Sequence, residues 1–524
     1  MASAWQPLKS SVFRNLFIAQ LVSNIGLWMQ SVGAQWYLVD QHAGPAVISL
    51  VQTASLAPTL LLSLVAGVLA DSLDRKWLLV VMSVYSTAIG VLMAVLAFTG
   101  HLNPATLLIL TFLLGAGAAL SSPAFQAIQP ELVPRDEIPD AASLGSVSVN
   151  AARAIGPALA GVIFSLGGAG TVFLLNAISY LAVVVALLMW KRSGQSSDIV
   201  PERLSDSLWV GLRYVAAAPI VRRILLRSAL FAIPASALWA LLPLIVAHSF
   251  HLGSSGYGLV LGVLGVGAMI GVALMPWMRQ HLSSAAILAL SALVFAIATI
   301  GAAFLPLWPC LVLFLFAGIA WIATLTTLNA GAQLTLPQWV RARGMAAYLL
   351  VFMGSQGIGA LIWGALGSAI GTRWALVIAG VCLLLTAASV RLLPPSPVTG
   401  KLSRDLSMAW PVPTLIFEPD PDDGPVEVSA IYNVPANRHA DFLAAMPAVA
   451  RSRRRTGARN WHLYRSADEP DHYVEQFIVP SWSEYQRQHR ERWTEYDHDN
   501  VARVLAMTET GIPDERHLFS TDLR

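Results

Sequence analysis

The sequence predicts an all-α membrane protein with twelve transmembrane helices in two six-helix pseudo-repeats, followed by a small cytoplasmic α+β domain. An apolar composition, an alternating distribution of basic residues and an internal repeat lead to this prediction. Hydrophobic residues occupy 56% of the 524 positions and charged residues only 12%, whereas soluble domains carry about 25% charged residues. Of the 63 Asp, Glu, Lys and Arg residues, 35 lie beyond residue 393. The chain therefore divides into an apolar body and a charged tail.

Twelve apolar stretches before residue 393 are long enough to cross a bilayer, which takes about 20 residues. Their predicted spans are 15–39, 46–70, 77–99, 104–128, 142–166, 170–190, 224–248, 255–278, 284–304, 308–331, 345–369 and 373–393. The first stretch has spanning length and no small-residue cleavage site before it, so we expect no cleaved signal peptide.

Basic residues in the connections set the orientation. The first, third, fifth, seventh and ninth connections contain no Lys or Arg, while the alternate ones contain residues such as Arg75, Lys76 and Arg279. Arg373 is the exception to this pattern. The positive-inside rule then predicts a multi-pass protein of the cell (inner or plasma) membrane with both termini in the cytoplasm.

An internal repeat supports two halves. At an offset of 203 residues, spans four to six recur in spans ten to twelve. The matched pairs are Pro134 and Pro337, Gly156 and Gly359, Gly161 and Gly364, and Gly168 and Gly371. Parallel repeats of this kind are typical of secondary transporters. We predict an N-terminal bundle over 1–190, a C-terminal bundle over 224–393, and between them a cytoplasmic loop, 191–223, with a short amphipathic helix at RLSDSLWVGLRYV.

The tail follows a Pro- and Asp-rich linker, 394–424, and begins at about residue 425. Alternation in VEVSAIYNV, NWHLYRS and YVEQFIV predicts three strands, and a fourth lies near HLFSTD. Helices are predicted at NRHADFLAAMPAVARSRRR and from SWSEYQRQHRERW onward. This β-α-β-β-α-β order predicts a ferredoxin-like domain over 425–524.

A short loop, GVLADSLDRKWLL at 67–79, joins the second and third spans. Gly67 allows close helix packing, and Asp71 can accept hydrogen bonds from a neighbouring helix N-terminus. Arg75 and Lys76 hold the loop on the cytoplasmic side. On these residues alone, a functional loop and a simple basic turn both remain open.

The fifth span contains RAIGPALAG, in which Arg153 lies about 17 Å along the helix from residue 142. An arginine near mid-depth costs about 2.5–3.5 kcal/mol on insertion scales, so we do not expect lipid exposure. Two roles stay open for Arg153. It either bridges polar groups between helices, or it faces a water-filled cavity and pairs with an anionic or oxygen-rich substrate.

The residues after Arg153 favour a moving interface. Pro157 removes a backbone donor and bends the helix, and Ala152, Gly156 and Ala160, four residues apart, give a flat face on which another helix can close. We assign Gly156, Pro157 and Gly161 a role in the conformational change. Ordinary small-residue packing is the alternative.

Polar and aromatic side chains at membrane depth are candidates for a substrate cavity. Besides Arg153, these are Asn24, Gln30, Gln35, Trp36, Asn150 and Gln356. Trp28, Trp239, Trp321 and Trp363 could stack an aromatic substrate or simply pack.

The loop at 67–79 resembles the signature loop of the major facilitator superfamily, with Ser72 and Asp74 departing from its usual pattern. This resemblance implies a role in gating for Gly67, Asp71, Arg75 and Lys76, in which Asp71 with Arg75 would latch the two halves in the outward-facing state. SNIGLWMQSVGAQW in the first span and RAIGPALAG resemble the branch of enterobactin exporters and transmembrane secretion effectors, and the second motif also resembles the fifth-helix motif of antiporters. The tail is similar to that of some members of this branch and to small ferredoxin-like monooxygenases.

These features predict a secondary active exporter of a small amphipathic molecule, such as a siderophore or a drug, that works by alternating access and is proton-coupled. None of the ten acidic residues before position 393 lies deep in a predicted span, which leaves the proton carrier open. The alternative is a membrane-anchored enzyme or ligand sensor that acts through its tail domain.

Other chemistries find little support. The tail has no P-loop, metal-ligand spacing or identifiable nucleophile with a nearby base, and we predict no catalytic residue, metal or cofactor. The net charge of +3 without a Lys-rich run argues against a nucleic-acid partner. The expected partners are the lipid bilayer, a small-molecule substrate and protons, and the tail could mediate dimerisation.

Overall fold

The computed structural model describes residues 5–128, 131–190, 218–336, 338–390, 419–420, 423–490, 492–511 and 513–520. The amphipathic helix predicted at 203–215 lies outside the described residues, as does nearly all of the linker at 394–424.

Eleven helices occupy the described part of the apolar body. They are α1 Ser11–Asp40, α2 Pro45–Ser72, α3 Arg75–Phe98, α4 Pro104–Ile128, α5 Ile138–Met189, α6 Pro219–His248, α7 Ser254–His281, α8 Ser284–Phe304, α9 Leu307–Thr335, α10 Gln338–Ile370 and α11 Thr372–Ala388. Nine of these helices, α2 to α10, are long and apolar enough to cross a membrane.

The remaining predicted spans are helical as well. The fifth and sixth predicted spans both lie within α5. They are separated at Gly168, whose left-handed φ of 70° interrupts the helix. α1 has the required length, but polar residues such as Gln20 and Asn24 interrupt its apolar sequence. α11 has 17 residues, fewer than a straight span needs.

Side-chain caps define where several helices begin. The Ser10 hydroxyl accepts from the Phe13 backbone N–H at 3.4 Å, and the Ser283 hydroxyl from Ala286 at 3.1 Å. Asp74 takes the place of the glycine usual in the signature loop, and its carboxylate accepts from the Trp77 N–H at 3.1 Å. These oxygens satisfy donors that the first helical turn leaves without a partner.

Glycines set the closest helix contacts within the C-terminal half. A β-carbon on Gly267 of α7 would overlap the Leu315 carbonyl oxygen of α9, and one on Gly318 of α9 would overlap the Leu264 carbonyl oxygen of α7. Lipid tails provide no hydrophobic force between helices, so close van der Waals packing has to hold them together. This mutual approach of two backbones requires glycine on both sides.

We expect Gly267→Ala to destabilise the body by about 1–3 kcal/mol, because overpacking forces the α7 and α9 backbones apart. Gly262→Ala is the matched control on the same helix, since its β-carbon would come no closer than 3.7 Å to another group. Thermal melting of detergent-purified protein measures both variants. Equal melting temperatures for the two alanine variants would contradict this account.

The tail has an antiparallel four-stranded sheet with helices. Its elements are β1 Val426–Asn433, α12 His439–Thr456, β2 Arg459–Arg465, β3 His472–Val479, α13 Trp482–Arg490, α14 Glu495–Leu505 and β4 Asp514–Phe519. The strand order is β2-β3-β1-β4, with Ala430 opposite both Glu475 and Glu515. The predicted second helix is two helices, because Thr494 and Asp497 form a capping box that begins α14 separately.

A buried ion pair lies at the centre of the tail. Arg453 Nε of α12 lies 3.2 Å from Glu475 Oε1 of β3, and both side chains are fully buried. The Tyr432 hydroxyl donates to Glu475 Oε2 at 2.7 Å, and the Trp461 indole N–H donates to Oε1 at 2.7 Å. The carboxylate thus accepts three hydrogen bonds, which is the arrangement that makes a buried charge tolerable.

A second carboxyl, Glu515 of β4, lies on the same side of the sheet, 3.9 Å from Arg453. Burial raises its pKa above the ordinary value, although Arg453 acts in the opposite direction. Because the folded state resists ionisation of this group, the tail should lose stability as the pH rises from the unfolded pKa through the folded one.

We therefore expect Glu515→Gln to stabilise the tail relative to wild type at pH 8, and by less at pH 4. Pulse proteolysis of the full chain in urea, followed by the loss of the intact tail, measures the difference. Glu427→Gln on the opposite face of β1 is the control and should show no such trend. A benefit for Glu515→Gln that grows towards low pH would refute the assigned direction.

Candidate functional site

The two halves meet at their outer ends, which are the ends at the connections without Lys or Arg. Between α5 and α7, the Ser254 hydroxyl donates to the Gly161 carbonyl at 3.2 Å. A β-carbon on Gly161 would lie 2.6 Å from the Ser254 carbonyl oxygen, and one on Gly258 would lie 2.6 Å from the Pro157 carbonyl oxygen. The backbones of opposite halves are therefore in contact here.

Tyr257 of α7 adds a polar and aromatic contact between the halves. Its hydroxyl donates to Gln35 Oε1 of α1 at 2.5 Å, and its ring stacks on Trp36 with centroids 5.6 Å apart and planes at 25°. Tyr257 is 1% exposed. Gln35 and Trp36, predicted to line a cavity, thus belong to this outer contact.

A second pair of helices, α2 and α10, also joins the halves. The Ala46 N–H donates to the Ser368 hydroxyl at 3.1 Å, and the Thr53 hydroxyl donates to the Gly357 carbonyl at 2.9 Å. Because the outer ends of both helix pairs are in contact, the structure is closed on the outer side. We call the α5/α7 and α2/α10 contacts together the outer seal.

A pocket lies between the halves at mid-depth. Its wall combines three tryptophans from α1, α6 and α9 with a charged residue and a proline from α5. The residues that define it are Trp28, Arg153, Pro157, Trp239, Gly265 and Trp321, and the rest of its lining is leucine, alanine and glycine from α7 and α9. The structure therefore places Arg153, one of the predicted cavity residues, in an otherwise apolar and aromatic wall.

Hydrogen-bond donors in this wall lack acceptors. Within the described residues, buried Nε and Nη1 of Arg153 have no hydrogen-bond partner, nor has Nε1 of Trp239. The guanidinium carbon lies 5.6 Å from the centre of the Trp28 ring. Trp239 meets Trp321 edge to face, with centroids 5.5 Å apart and planes at 65°. The pocket thus presents one positive charge and aromatic surfaces.

The Gly-Pro pair explains how the guanidinium reaches this position. A β-carbon on Gly156 would lie 2.6 Å from Trp28 Cβ, so the glycine lets α1 approach α5 closely. Pro157 has no N–H for the Arg153 carbonyl oxygen one turn earlier. That oxygen instead faces Gly265 of α7, whose β-carbon would lie 3.2 Å from it. The small-residue motif therefore packs against both halves.

Other predicted cavity residues bond inside the N-terminal half. Buried Gln30 donates to Met93 Sδ at 3.3 Å and accepts from Asn176 at 3.4 Å. Asn24 donates to the Ser148 hydroxyl at 3.2 Å, and Asn150 donates to a carbonyl of its own helix at 2.9 Å. The half-buried Gln356 of α10 lies outside the pocket lining in the described part of the chain.

The loop at 67–79 makes contacts within the N-terminal half. Arg75 Nη1 lies 2.9 Å from Glu131 Oε1, and Lys76 donates to the Trp190 carbonyl at 2.6 Å. The side chain of Asp71 and the surroundings of Gly67 lie outside the described part of the structure. The gating role of these residues stays a prediction.

Sequence reasoning did not single out the contribution of the C-terminal half. Trp239 and Trp321 were only two of several tryptophans that could stack a substrate. Gly265 gave no signal beyond the glycine-rich sequence GLVLGVLGVGAMIG of α7. Which indoles converge on Arg153 depends on how the two halves pack, and spacing along one helix does not contain this information.

Comparison with known proteins agrees with this architecture. The family described as "Transmembrane secretion effector" matches residues 2–522. The chain is similar to the staphyloferrin A transporter of Staphylococcus aureus, with 28% identity over 55% of this chain and 72% of that protein. It is also similar to the multidrug efflux pump Tap of Mycolicibacterium fortuitum, with 24% identity over 72% of this chain and 95% of that protein. With the enterobactin exporter EntS of Shigella boydii, it shares 26% identity over 72% of this chain and 92% of that protein.

Solved structures show the same fold in the body. A bacterial homologue of the human lysosomal transporter Spinster, in an inward-facing and unoccupied conformation, superimposes with a TM-score of 0.62 and 17% identity over 74% of this chain and 97% of that chain. An inward-facing bacterial homologue of ferroportin gives a TM-score of 0.56 with 16% identity over 73% of this chain and 98% of that chain. The body therefore has the fold of major facilitator transporters.

We expect Tyr257→Phe to weaken the outer seal, because it removes one hydrogen bond between the halves, worth about 0.5–1.5 kcal/mol. Spin labels at Gln41 and Ser249, which are exposed at the outer ends of opposite halves, should then populate longer distances about two- to tenfold more often. Electron-spin distance measurements check this in a background with both cysteines replaced by alanine.

The control for this experiment is Tyr85→Phe, which removes a hydroxyl that donates at 3.1 Å to the Leu113 carbonyl inside the N-terminal half. It should leave the distance distribution unchanged. The role of Tyr257 in the seal is wrong if both phenylalanine variants behave as wild type.

Proposed function

Since the chain belongs to the transmembrane secretion effector family of major facilitator transporters, we propose that it exports a small amphipathic molecule from the cytoplasm by alternating access. The observation that carries this proposal is the pocket of Arg153 and three indoles between two halves whose outer ends are closed. A cargo with a polar group and an apolar or aromatic body would fit this wall.

The outer seal supports alternating access. Its contacts consist of single hydrogen bonds, one stacked ring pair and small-residue surfaces, and no described ion pair crosses it. Each such contact contributes on the order of 1 kcal/mol. A conformational change that opens the outer ends would therefore cost little free energy, and it would expose the pocket to the outer side.

Two kinds of similar proteins indicate which classes of cargo to consider. One group is named for siderophores, staphyloferrin A and enterobactin, and another for drugs. We propose a cargo of either kind, and we propose that a proton gradient drives its export. No acidic side chain belongs to the described lining of the pocket, so the proton would be carried elsewhere on the chain or on the cargo.

For the tail we propose a ferredoxin-like domain with a structural or dimerising role. Tyr432 and Trp461 direct their donors to Glu475 inside the domain, and Glu475 also pairs with Arg453. These polar groups therefore stabilise the fold of the tail.

We expect Gly161→Ala to reduce export at least tenfold, because its β-carbon would separate α5 from α7 and prevent closure of the outer seal. Inside-out membrane vesicles, tested with a fluorescent catecholate siderophore and with ethidium, measure cargo accumulation under an imposed pH gradient and, separately, under an imposed potential.

Gly44→Ala is the matched control at the outer end of α2, because a β-carbon there meets nothing within 4 Å. It should transport as wild type does. If wild-type vesicles accumulate neither probe under either gradient, the proposal of export fails. Equal transport by Gly161→Ala and Gly44→Ala would instead remove the seal from the mechanism.

A further inference from the structure

We propose that the cargo carries an anionic oxygen group on a flat aromatic or apolar body, and that Arg153 and the Trp239 indole N–H bind this anionic group. This inference rests on the proposed function and narrows its substrate class. It separates siderophore-like and aromatic acids from cationic drugs, both of which the family resemblance would allow.

The charge of the pocket supports an anion. A guanidinium stays protonated in proteins, so Arg153 cannot avoid the cost of burial by losing its charge. Two of its nitrogens are buried without a hydrogen-bond partner among the described residues. No described carboxylate lines the pocket. An anionic group that enters the pocket would supply the compensating negative charge.

The hydrogen-bonding groups of the pocket wall also favour an anionic ligand. Arg153 Nε, Arg153 Nη1 and Trp239 Nε1 are all donors, and all three lack acceptors in the described structure. The other described side chains of the lining are hydrocarbon or indole, neither of which accepts a hydrogen bond. A carboxylate or phenolate oxygen would satisfy these donors with charge-assisted bonds, whereas an ammonium group would find no side-chain acceptor.

The aromatic surfaces specify the body of the ligand. Trp28 lies against the guanidinium at 5.6 Å, while Trp239 and Trp321 form an edge-to-face pair. Trp321 is held by three phenylalanine rings, Phe231, Phe295 and Phe352, at centroid distances of 5.8–5.9 Å. This rigid wall suits a planar ring that stacks beside a charged group.

Buried polar residues elsewhere in the body make the contrast clear. Arg227 of α6 is also buried, but its guanidinium donates to the Ser389 hydroxyl at 3.0 Å and to the Ser389 carbonyl at 2.8 Å. The chain therefore has the means to satisfy an arginine internally. At Arg153, which lines the pocket between the halves, it instead leaves two buried donors without a partner among the described residues.

Three probes with one ring system and different charges test the proposal: 2-naphthoate, 2-naphthamide and 2-naphthylmethylammonium. Equilibrium dialysis of each radiolabelled probe against the purified full-length protein measures binding without requiring transport. We expect wild type to bind naphthoate at least tenfold more tightly than either other probe. Binding of none of the probes, equal binding of all three, or a preference for the ammonium probe would overturn the proposal.

Substitutions test whether Arg153 and the Trp239 N–H cause the preference for naphthoate. Arg153→Gln should abolish the discrimination, and Arg153→Lys should keep part of it because the charge remains. Trp239→Phe retains a ring but loses the hydrogen-bond donor. It should weaken the binding of naphthoate about three- to tenfold and leave the binding of naphthamide unchanged. Trp374→Phe is the control, since Trp374 is 58% exposed on α11 and should bind as wild type does.

Gel-filtration profiles and melting temperatures show which variants are folded. If Arg153→Gln does not fold, Arg153→Lys and Trp239→Phe still decide the question, and unchanged naphthoate binding by both would refute the assignment. The outcomes remain distinguishable from those of the transport experiment. Export of a probe without anion preference defeats only this inference, and anion binding without export defeats only the proposed function.

Discussion

A permanently charged guanidinium at mid-depth in an apolar body is the constraint on which the centre of this protein depends. Insertion scales assign it a cost of about 2.5–3.5 kcal/mol. The contact of Arg153 with Trp28 contributes about 0.5–2 kcal/mol, which does not offset that cost. The remainder has to be met by solvent or cargo in the pocket, so the same residue that costs stability provides a reason for the pocket to be occupied.

Small residues make this arrangement mechanically feasible. In α7 and α9, mutual glycine contacts hold the C-terminal half together, and Gly161 and Gly258 bring α5 and α7 together across the halves. Both contacts use backbone packing, but the seal between halves adds only isolated hydrogen bonds and one stacked ring pair.

Polar groups at membrane depth fall into two kinds, and their hydrogen bonds distinguish them. Gln30, Asn176 and Arg227 are buried and have partners within their own half. Arg153 and Trp239 have buried donors without a partner among the described residues, and both residues line the pocket between the halves. At the centre of the tail, Glu475 follows the first pattern, since its carboxylate accepts from three side chains. Buried groups of the first kind stabilise a fold, while those of the second kind are available to a ligand.

The sequence by itself determined the features that depend on local patterns. Apolar length predicted the spans, basic residues predicted an orientation, and alternation predicted three of the four strands of the tail. RAIGPALAG also identified Arg153 as a charge that needs a cavity or a partner. The apolar helices of the body and the sheet of the tail are confirmed, because bilayer length and strand alternation act on each segment separately. The orientation stays a prediction from the charge rule.

Only the tertiary structure decided which polar side chains share one pocket. The sequence grouped Arg153 with Gln30, Gln35 and Trp36, yet Gln30 bonds within the N-terminal half, while Gln35 and Trp36 meet Tyr257 in the outer seal. Likewise, it did not select Trp239 and Trp321 from the other tryptophans. A helix buried on most sides shows no single polar face, and the direction of each side chain acquires meaning only when the neighbouring helices are in place.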